Sequence, residues 1–188
     1  MKTFKNLLLF GVVISIFSCL SYEKYVVESD YSYLGKFKRY ETFDFLSDAN
    51  YNNMQGQQDT TLRQAIASRM KLQGFKQEAR NPSLLVTYKV FYDDFNFQGY
   101  QQPELEQWIK YEDEELEYDP VKYSLRQGTL LIIFLDRKKE TAVWQGYASS
   151  LFGNQQFDND RYLKRAVRNI FDQYRLFADG TVINTRFN

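Results

Sequence analysis

The residues with the most specific chemistry in this chain are one cysteine and two clusters of acidic side chains, because the sequence contains no histidine. Without histidine, the chain lacks the base of a Ser-His-Asp or Cys-His nucleophile and the histidine ligands of a zinc site. The remaining route to catalysis is carboxylate chemistry, as in glycosidases or in calcium and magnesium sites. The candidates are Asp93 and Asp94, at the end of a predicted strand, and the acidic run Glu112–Glu117.

Neither acidic cluster has the residue pattern of a known metal-binding or catalytic site. A calcium loop alternates its ligands and includes a glycine, whereas adjacent acids in a run usually form a solvated, mutually repelling surface. The sequence also lacks a phosphate-binding glycine-rich loop and a dinucleotide fingerprint. We therefore predict that the chain is not an enzyme and has no catalytic residues, no metal site and no cofactor. The alternative is a carboxylate-dependent hydrolase acting on envelope glycans, which requires two acids about 5–10 Å apart in a cleft.

The N-terminus has the features of a secretory signal. Lys2 and Lys5 precede an apolar segment over residues 7–17. These eleven residues are too few for a transmembrane helix, which needs about 20. We expect residues 1–18 to be a signal peptide that is removed from the mature protein.

Cys19 stands at the end of this signal and is the only cysteine of the chain. The segment Ile16-Phe17-Ser18-Cys19 resembles the lipobox of bacterial lipoproteins. The resemblance implies signal cleavage between Ser18 and Cys19, and lipid attachment at Cys19 through a diacylglycerol thioether and an acyl chain, such as palmitate, on the amine. Two or three acyl chains anchor a protein stably, whereas one does not. The alternatives are an ordinary secretory signal with an incidental cysteine, or a buried free thiol.

The composition narrows the possible partners. The whole chain has 24 basic and 24 acidic residues, so removal of Lys2 and Lys5 leaves 22 against 24. This balance argues against nucleic acid as a partner, because nucleic acid selects a strongly basic face. We expect a protein held at the membrane by its N-terminal lipid, located in the bacterial cell envelope at the outer membrane facing the periplasm. Its partner would be an envelope protein or a glycan.

The first part of the mature chain is expected to be a lipidated tether over residues 19–35, because it is polar and has no clear period. The first predicted strand is Lys36–Leu46, which is rich in aromatic residues. The single folded domain is accordingly expected over residues 36–188.

Two segments have the apolar periodicity of amphipathic helices. The first begins with Asp59 as its capping residue and ends at Gly74. The second runs from about Asn159 to Tyr174. In the first helix, three apolar residues recur at helical spacing: Leu62, Ile66 and Met70. Its basic residues are expected to face outward: Arg63, Arg69 and Lys71.

Three further segments have the pattern of strands, namely Leu84–Tyr92, Thr129–Leu135 and Thr141–Phe152. The intervening stretch Asp93–Gln127 keeps neither period and is expected to be a long excursion that includes a hairpin. Its aromatic residues either form a partner surface or pack the excursion onto the domain: Tyr92, Phe95, Phe97, Tyr100, Trp108 and Tyr111. The short C-terminal tail is expected to add an edge strand.

Several of these segments together resemble bacterial lipoproteins of domain of unknown function 4136, over about residues 36–174. The segments are Tyr40-Glu41-Thr42-Phe43-Asp44-Phe45, Leu72-Gln73-Gly74-Phe75, Gly128-Thr129-Leu130 and Val143-Trp144-Gln145-Gly146. The resemblance implies an α+β two-layer sandwich, in which two helices pack on one face of a mainly antiparallel sheet of about four to five strands. It brings no established activity and no catalytic residues. From the lack of catalytic motifs in the sequence, we expect a non-catalytic binding or interaction module.

Overall fold

The computed structural model describes residues 26–46, 56–100, 120–125, 128–149 and 159–183. The elements are, in chain order, β1 (Val26–Tyr31), a 3₁₀ turn (Phe37–Arg39), β2 (Thr42–Phe45), α1 (Gly56–Leu72), β3 (Lys76–Gln77), β4 (Leu84–Phe91), β5 (Phe95–Tyr100), β6 (Pro120–Leu125), β7 (Thr129–Asp136), β8 (Thr141–Ser149) and α2 (Asp160–Asp172). No helix among the described residues is long and apolar enough to cross a membrane.

Six of the strands form one mixed sheet in the order β1-β8-β7-β4-β2-β3. The pairs β1–β8, β8–β7 and β7–β4 are antiparallel, whereas β2 runs parallel to both β4 and β3. The α+β architecture and the mainly antiparallel sheet are thus confirmed. The sheet has six strands where four to five were expected, because β1 and the two-residue β3 extend its edges.

Both helices bury their apolar stripes in the same core as the inward-facing residues of the sheet. From α1 the buried side chains are Leu62, Ile66, Ala67 and Met70. From α2 they are Leu163, Ala166, Val167, Ile170 and Phe171. They meet the alternate positions of β4, which are Leu84, Val86, Tyr88 and Val90. The apolar residues recur about every 3.6 residues in the helices and every two residues in the strands, and these periods predict the buried residues correctly.

The ends of the two helices follow from local chemistry. Asn159 caps α2, because its side-chain oxygen accepts a hydrogen bond from the backbone N–H of Arg161 at 3.0 Å. Gly74, with φ at +87°, adopts the left-handed conformation that glycine tolerates after a helix. The start of α1 differs from the prediction: the helix begins at Gly56, so Asp59 lies in its first turn. The carboxylate of Asp59 accepts hydrogen bonds from side chains there, as described below.

The strand predicted over Lys36–Leu46 is shorter in the structure. A 3₁₀ turn occupies Phe37–Arg39, and only Thr42–Phe45 pairs in the sheet. The turn buries the rings of Phe37 and Tyr40 in the core, where their centroids lie 5.6 Å apart. Aromatic residues here therefore fill the interior without extending the strand.

The segment expected to be a tether, residues 19–35, contains the edge strand β1. Its register with β8 runs from Val26 opposite Ser149 to Tyr31 opposite Trp144. The hydroxyl of Tyr31 donates a hydrogen bond to the carbonyl of Gln173 at 3.1 Å and accepts one from the N–H of Arg175 at 2.7 Å. These bonds tie β1 to the end of α2, so the folded domain includes Val26–Tyr31, which precede residue 36.

The long excursion and the C-terminal tail are described in part. The strands β5 and β6 pair antiparallel as a separate two-stranded ribbon, as expected for a hairpin. The stretch between them, residues 101–119, lies outside the described residues. In the tail, Leu176 and Val182 form an isolated antiparallel bridge, where an edge strand was expected.

A buried carboxylate fixes the turn between β7 and β8. Asp136 accepts hydrogen bonds from the hydroxyl of Tyr40 at 2.8 Å and from the backbone N–H groups of Lys138 at 2.8 Å and Lys139 at 3.1 Å. Burial acts to raise the pKa of Asp136, but the bonds from Tyr40, Lys139 and Lys138 outweigh burial and hold the pKa below its ordinary value.

Asp136→Asn is expected to lower the free energy of unfolding at pH 7 by about 1–3 kcal/mol, because the charge-assisted hydrogen bonds are lost. Since the pKa of Asp136 is lowered by folding, its contribution is complete above pH 4–5, near the unfolded value of about 3.9, and is lost as the pH falls through the folded value. Urea unfolding at pH 7 and pH 3 measures this.

The matched control is Glu78→Gln, which alters an exposed carboxylate and should change the free energy of unfolding by less than about 0.5 kcal/mol. The difference between wild type and Asp136→Asn should shrink at pH 3. A difference that stays the same at both pH values would contradict the role given to the Asp136 charge.

Candidate functional site

A groove of about 580 Å³ opens between α1 and the β2–β3 edge of the sheet. This volume lies within the range of about 300–1,000 Å³ that small-molecule sites occupy. The lining residues are Asp44, Phe45, Arg63, Gln64, Ala67, Ser68, Lys71 and Gln77. Most of them are polar or charged, so the groove suits a hydrophilic ligand.

One wall of the groove is a single face of α1. Its five lining residues lie within about two and a half turns of helix, and successive ones are one or three positions apart, which places them on the same side. Because the side chain of Ala67 is small, the middle of this wall projects little into the groove. Arg63 and Lys71 stand at its two ends, about 12 Å apart along the helix axis.

The opposite wall comes from β2 and β3. These strands are parallel, with Thr42 opposite Lys76 and Phe43 opposite Gln77. The side-chain amide of Gln77 donates a hydrogen bond to the carboxylate of Asp44 at 3.3 Å. The pair therefore presents a carboxylate and an amide side by side across from the two cations of α1.

Arg63 is held in place by three neighbours. Its guanidinium carbon lies 5.0 Å from the ring centroid of Phe45 and 5.9 Å from that of Tyr88. Its Nε donates a hydrogen bond to the carboxylate of Asp59 at 2.9 Å, and the hydroxyl of Tyr88 donates to the same carboxylate. Among the described residues, the hydrogen bond of the guanidinium is made by Nε, and none is found for its two terminal nitrogens.

The charges at the groove are balanced. Arg63 and Lys71 in the lining are opposed by Asp44 in the lining and by Asp59, the ion-pair partner of Arg63. Arg63 is partly shielded, with 34% of its side chain exposed. A partly shielded guanidinium interacts more strongly with an anion than a fully exposed one does, because less water screens it.

The residues singled out from the sequence lie elsewhere. Ser18, Cys19 and the acidic run Glu112–Glu117 are outside the described residues. Asp93 and Asp94 are exposed in the turn between β4 and β5. No group of three or more acidic, cysteine or histidine side chains able to hold a metal ion occurs within the described ranges.

The aromatic residues of the excursion are described only in part. Tyr92 is exposed, at 51% of its surface. The backbone of β5 includes Phe95, Phe97 and Tyr100, but their side chains are outside the described set, as are Trp108 and Tyr111. Whether these rings form a partner surface therefore stays a prediction.

The groove was missed in the sequence because Arg63, Arg69 and Lys71 were all expected to face outward. Arg69 forms an ion pair with Asp172 of α2, with Nη2 and Oδ1 2.5 Å apart, whereas Arg63 and Lys71 line the groove. The available signal was the spacing of Asp59 and Arg63, four positions apart, which favours an ion pair on a helix.

Comparison with solved structures shows the fold. A crystal structure of a DUF4136 family protein from Bacteroides thetaiotaomicron VPI-5482 is 18% identical in sequence, with a TM-score of 0.54, and the match covers 81% of this chain and 96% of that one. A PelC dodecamer from Paraburkholderia phytofirmans is 9% identical, with a TM-score of 0.45, covering 81% and 99% of the two chains. No curated protein matches the sequence.

A family model gives the broader assignment. It spans residues 27–174, which runs from β1 to the residues just after α2 and contains every strand of the sheet. Its start agrees with the structural finding that β1 is part of the folded domain. The chain belongs to the family described as Domain of unknown function (DUF4136).

Proposed function

We propose that this chain is a lipoprotein of the bacterial cell envelope that holds a non-catalytic binding module at the outer membrane, facing the periplasm. The observation that carries the proposal is the position of the groove. It lies at the β2–β3 edge of the sheet, whereas the N-terminal segment enters the fold at the opposite edge, through β1.

The distance from the anchor to the domain is short. Cys19 precedes Val26, the first residue of β1, by seven positions. A fully extended chain of this length spans at most about 25 Å. Acylation of Cys19 would therefore keep the β1 edge within about that distance of the bilayer surface.

The groove lies farther from the anchor than β1 does. Five interstrand spacings separate β1 from β3 in the sheet order, which amounts to about 24 Å. An anchored domain could thus hold its ligand on the side away from its attachment. This arrangement suits a module that connects a membrane to another component of the envelope.

The lining favours binding over hydrolysis. A glycosidase of the usual kind needs two carboxyl groups on either side of the bond that it cleaves. Among the lining residues of the groove, Asp44 supplies one carboxylate, and it is engaged by Gln77. We therefore propose binding as the role of this site.

The anchoring is tested by Cys19→Ala in the full-length chain. Wild type is expected in the membrane fraction and labelled by radioactive palmitate. The variant should lose the label completely and shift mostly to the soluble fraction, because the thiol that forms the thioether is absent. Fractionation and lipid labelling in the same cells measure both effects.

The matched control is Ser18→Ala, which keeps a small residue before the cysteine and should remain labelled and membrane-bound. If Cys19→Ala stays in the membrane with its lipid label unchanged, the proposal of a lipid anchor at Cys19 is wrong.

A further inference from the structure

We propose that the groove binds a saccharide that carries one carboxylate per sugar unit, such as a uronic acid, and that Arg63 receives the carboxylate. The inference rests on the proposed binding role of the groove and specifies its ligand. It follows from the orientation of Arg63, from the charges of the lining and from its hydrogen-bonding groups.

The orientation of Arg63 suits a carboxylate. The rings of Phe45 and Tyr88 and the carboxylate of Asp59 fix the guanidinium before a ligand arrives. A guanidinium offers parallel N–H groups that match the two oxygens of a carboxylate. Because the side chain is already held, little additional side-chain entropy is lost on binding.

The charges around the groove limit the number of negative groups that a ligand can carry. Arg63 and Lys71 carry two positive charges, and Asp44 and Asp59, the ion-pair partner of Arg63, carry two negative charges. A single carboxylate can pair with Arg63, with Lys71 as a second cation in the groove. A ligand with several adjacent negative charges, such as an acidic peptide, would place some of them near Asp44, which would repel them.

The other lining groups match sugar hydroxyls. Gln64 and Gln77 each have an amide that donates and accepts hydrogen bonds, and the hydroxyl of Ser68 adds an acceptor. A sugar hydroxyl likewise donates and accepts, so it requires both functions from its site. The backbone carbonyl of Gln64 already accepts the Ser68 hydroxyl at 2.7 Å, which leaves the lone pairs of that hydroxyl for a ligand donor.

Binding is tested on the full-length protein in detergent by calorimetric and NMR titration. The probe is a tetrasaccharide of alternating glucuronate and N-acetylglucosamine, and the comparison ligand is the same saccharide with its carboxyl groups reduced to alcohols. Wild type should bind the acidic probe at least 10-fold more tightly than the reduced one. The shifted resonances should include those of Gln64 and Gln77.

Two variants of Arg63 and one control complete the experiment. Arg63→Ala should weaken binding of the acidic probe at least 10-fold. Arg63→Lys keeps the charge and the contact with Asp59 but lacks the planar guanidinium with its parallel N–H groups. It should weaken binding of the acidic probe about 3- to 10-fold. Arg168→Ala removes an exposed arginine of α2 and should leave binding unchanged. The melting temperature of each variant identifies any loss of folding.

Equal binding of the acidic and reduced probes would overturn the carboxylate assignment. So would tighter, Arg63-dependent binding of an oligoglutamate peptide in the groove, which would replace the saccharide by an acidic protein segment. Absence of groove shifts with all three ligands would also overturn the inference. The proposed anchoring fails separately, through retention of lipid label by Cys19→Ala.

Discussion

Trp144→Ala is expected to lower the free energy of unfolding by about 3–5 kcal/mol. Trp144 is 1% exposed and lies in the middle of the aromatic core. Its ring centroid is 4.6 Å from that of Phe134, 5.0 Å from Tyr174 and 6.0 Å from Phe171. Removal of the indole would leave a cavity between β8 and α2, because close-packed neighbours relax only in part. Equilibrium unfolding in urea measures the loss.

Trp144→Phe is the matched comparison and should cost less than half as much. The indole Nε1 of Trp144 is buried without a hydrogen-bond partner in the described part of the chain. Phenylalanine retains much of the apolar area and removes this unsatisfied donor, which offsets part of the lost packing. A Trp144→Ala protein as stable as wild type would contradict the assignment of Trp144 to the core.

Gly146→Ala is expected to lower the free energy of unfolding by about 1–3 kcal/mol. A Cβ atom at this position would lie 2.6 Å from two atoms of the Trp144 ring and 2.7 Å from Cγ2 of Ile170. These distances are well inside van der Waals contact, and both neighbours are buried. The added methyl must therefore displace α2 or the indole.

A double-mutant cycle isolates this cause. In a Trp144→Phe background the smaller ring should leave space for the methyl, so Gly146→Ala should cost at least about 0.5 kcal/mol less than in wild type. Strictly additive effects would contradict a clash between the methyl and the indole. The same geometry explains the Val-Trp-x-Gly pattern of the sequence, because residues two apart in a strand share one face.

The helices and the central strands could be predicted from the sequence because their signals are local. The apolar stripes of α1 and α2 and the alternation in β4 each lie within a single element, as do the start signal at Asn159 and the stop signal at Gly74. The start of α1 was misplaced by three residues because Asp59, the capping candidate, lies inside the first turn, where its carboxylate accepts hydrogen bonds from the side chains of Arg63 and Tyr88.

Strand β1 was not predicted from the sequence because the alternation of apolar and polar residues in it is weak. Of its inward-facing residues, Val27 and Tyr31 are apolar but Ser29 is not, and Glu28 and Asp30 occupy the other face. As an edge strand it has one neighbour, β8, and its place depends on the bonds of Tyr31 to Gln173 and Arg175. Those partners lie more than 140 positions away, beyond the reach of a local pattern.

The groove was not predicted from the sequence either, because it also depends on contacts between separate elements. It joins α1 to two strands that flank it in the sequence and that pair in parallel, a pairing that the sequence pattern did not indicate. Arg63 looked like a solvated charge because its position on the helix wheel is polar. Its contacts with Phe45 and Tyr88 exist only after the sheet has formed.

Photo-crosslinking in intact cells tests the anchored binding module most directly. A photoreactive amino acid replaces Gln64 in the groove of the full-length chain, or Arg168 on α2 as the control position. Position 64 is expected to capture a saccharide adduct, reduced at least 5-fold by Arg63→Ala and by Cys19→Ala, and position 168 should not capture it. Identical adducts from both positions, or a groove adduct unaffected by Arg63→Ala and Cys19→Ala, would contradict a lipid-anchored module that binds its ligand in this groove.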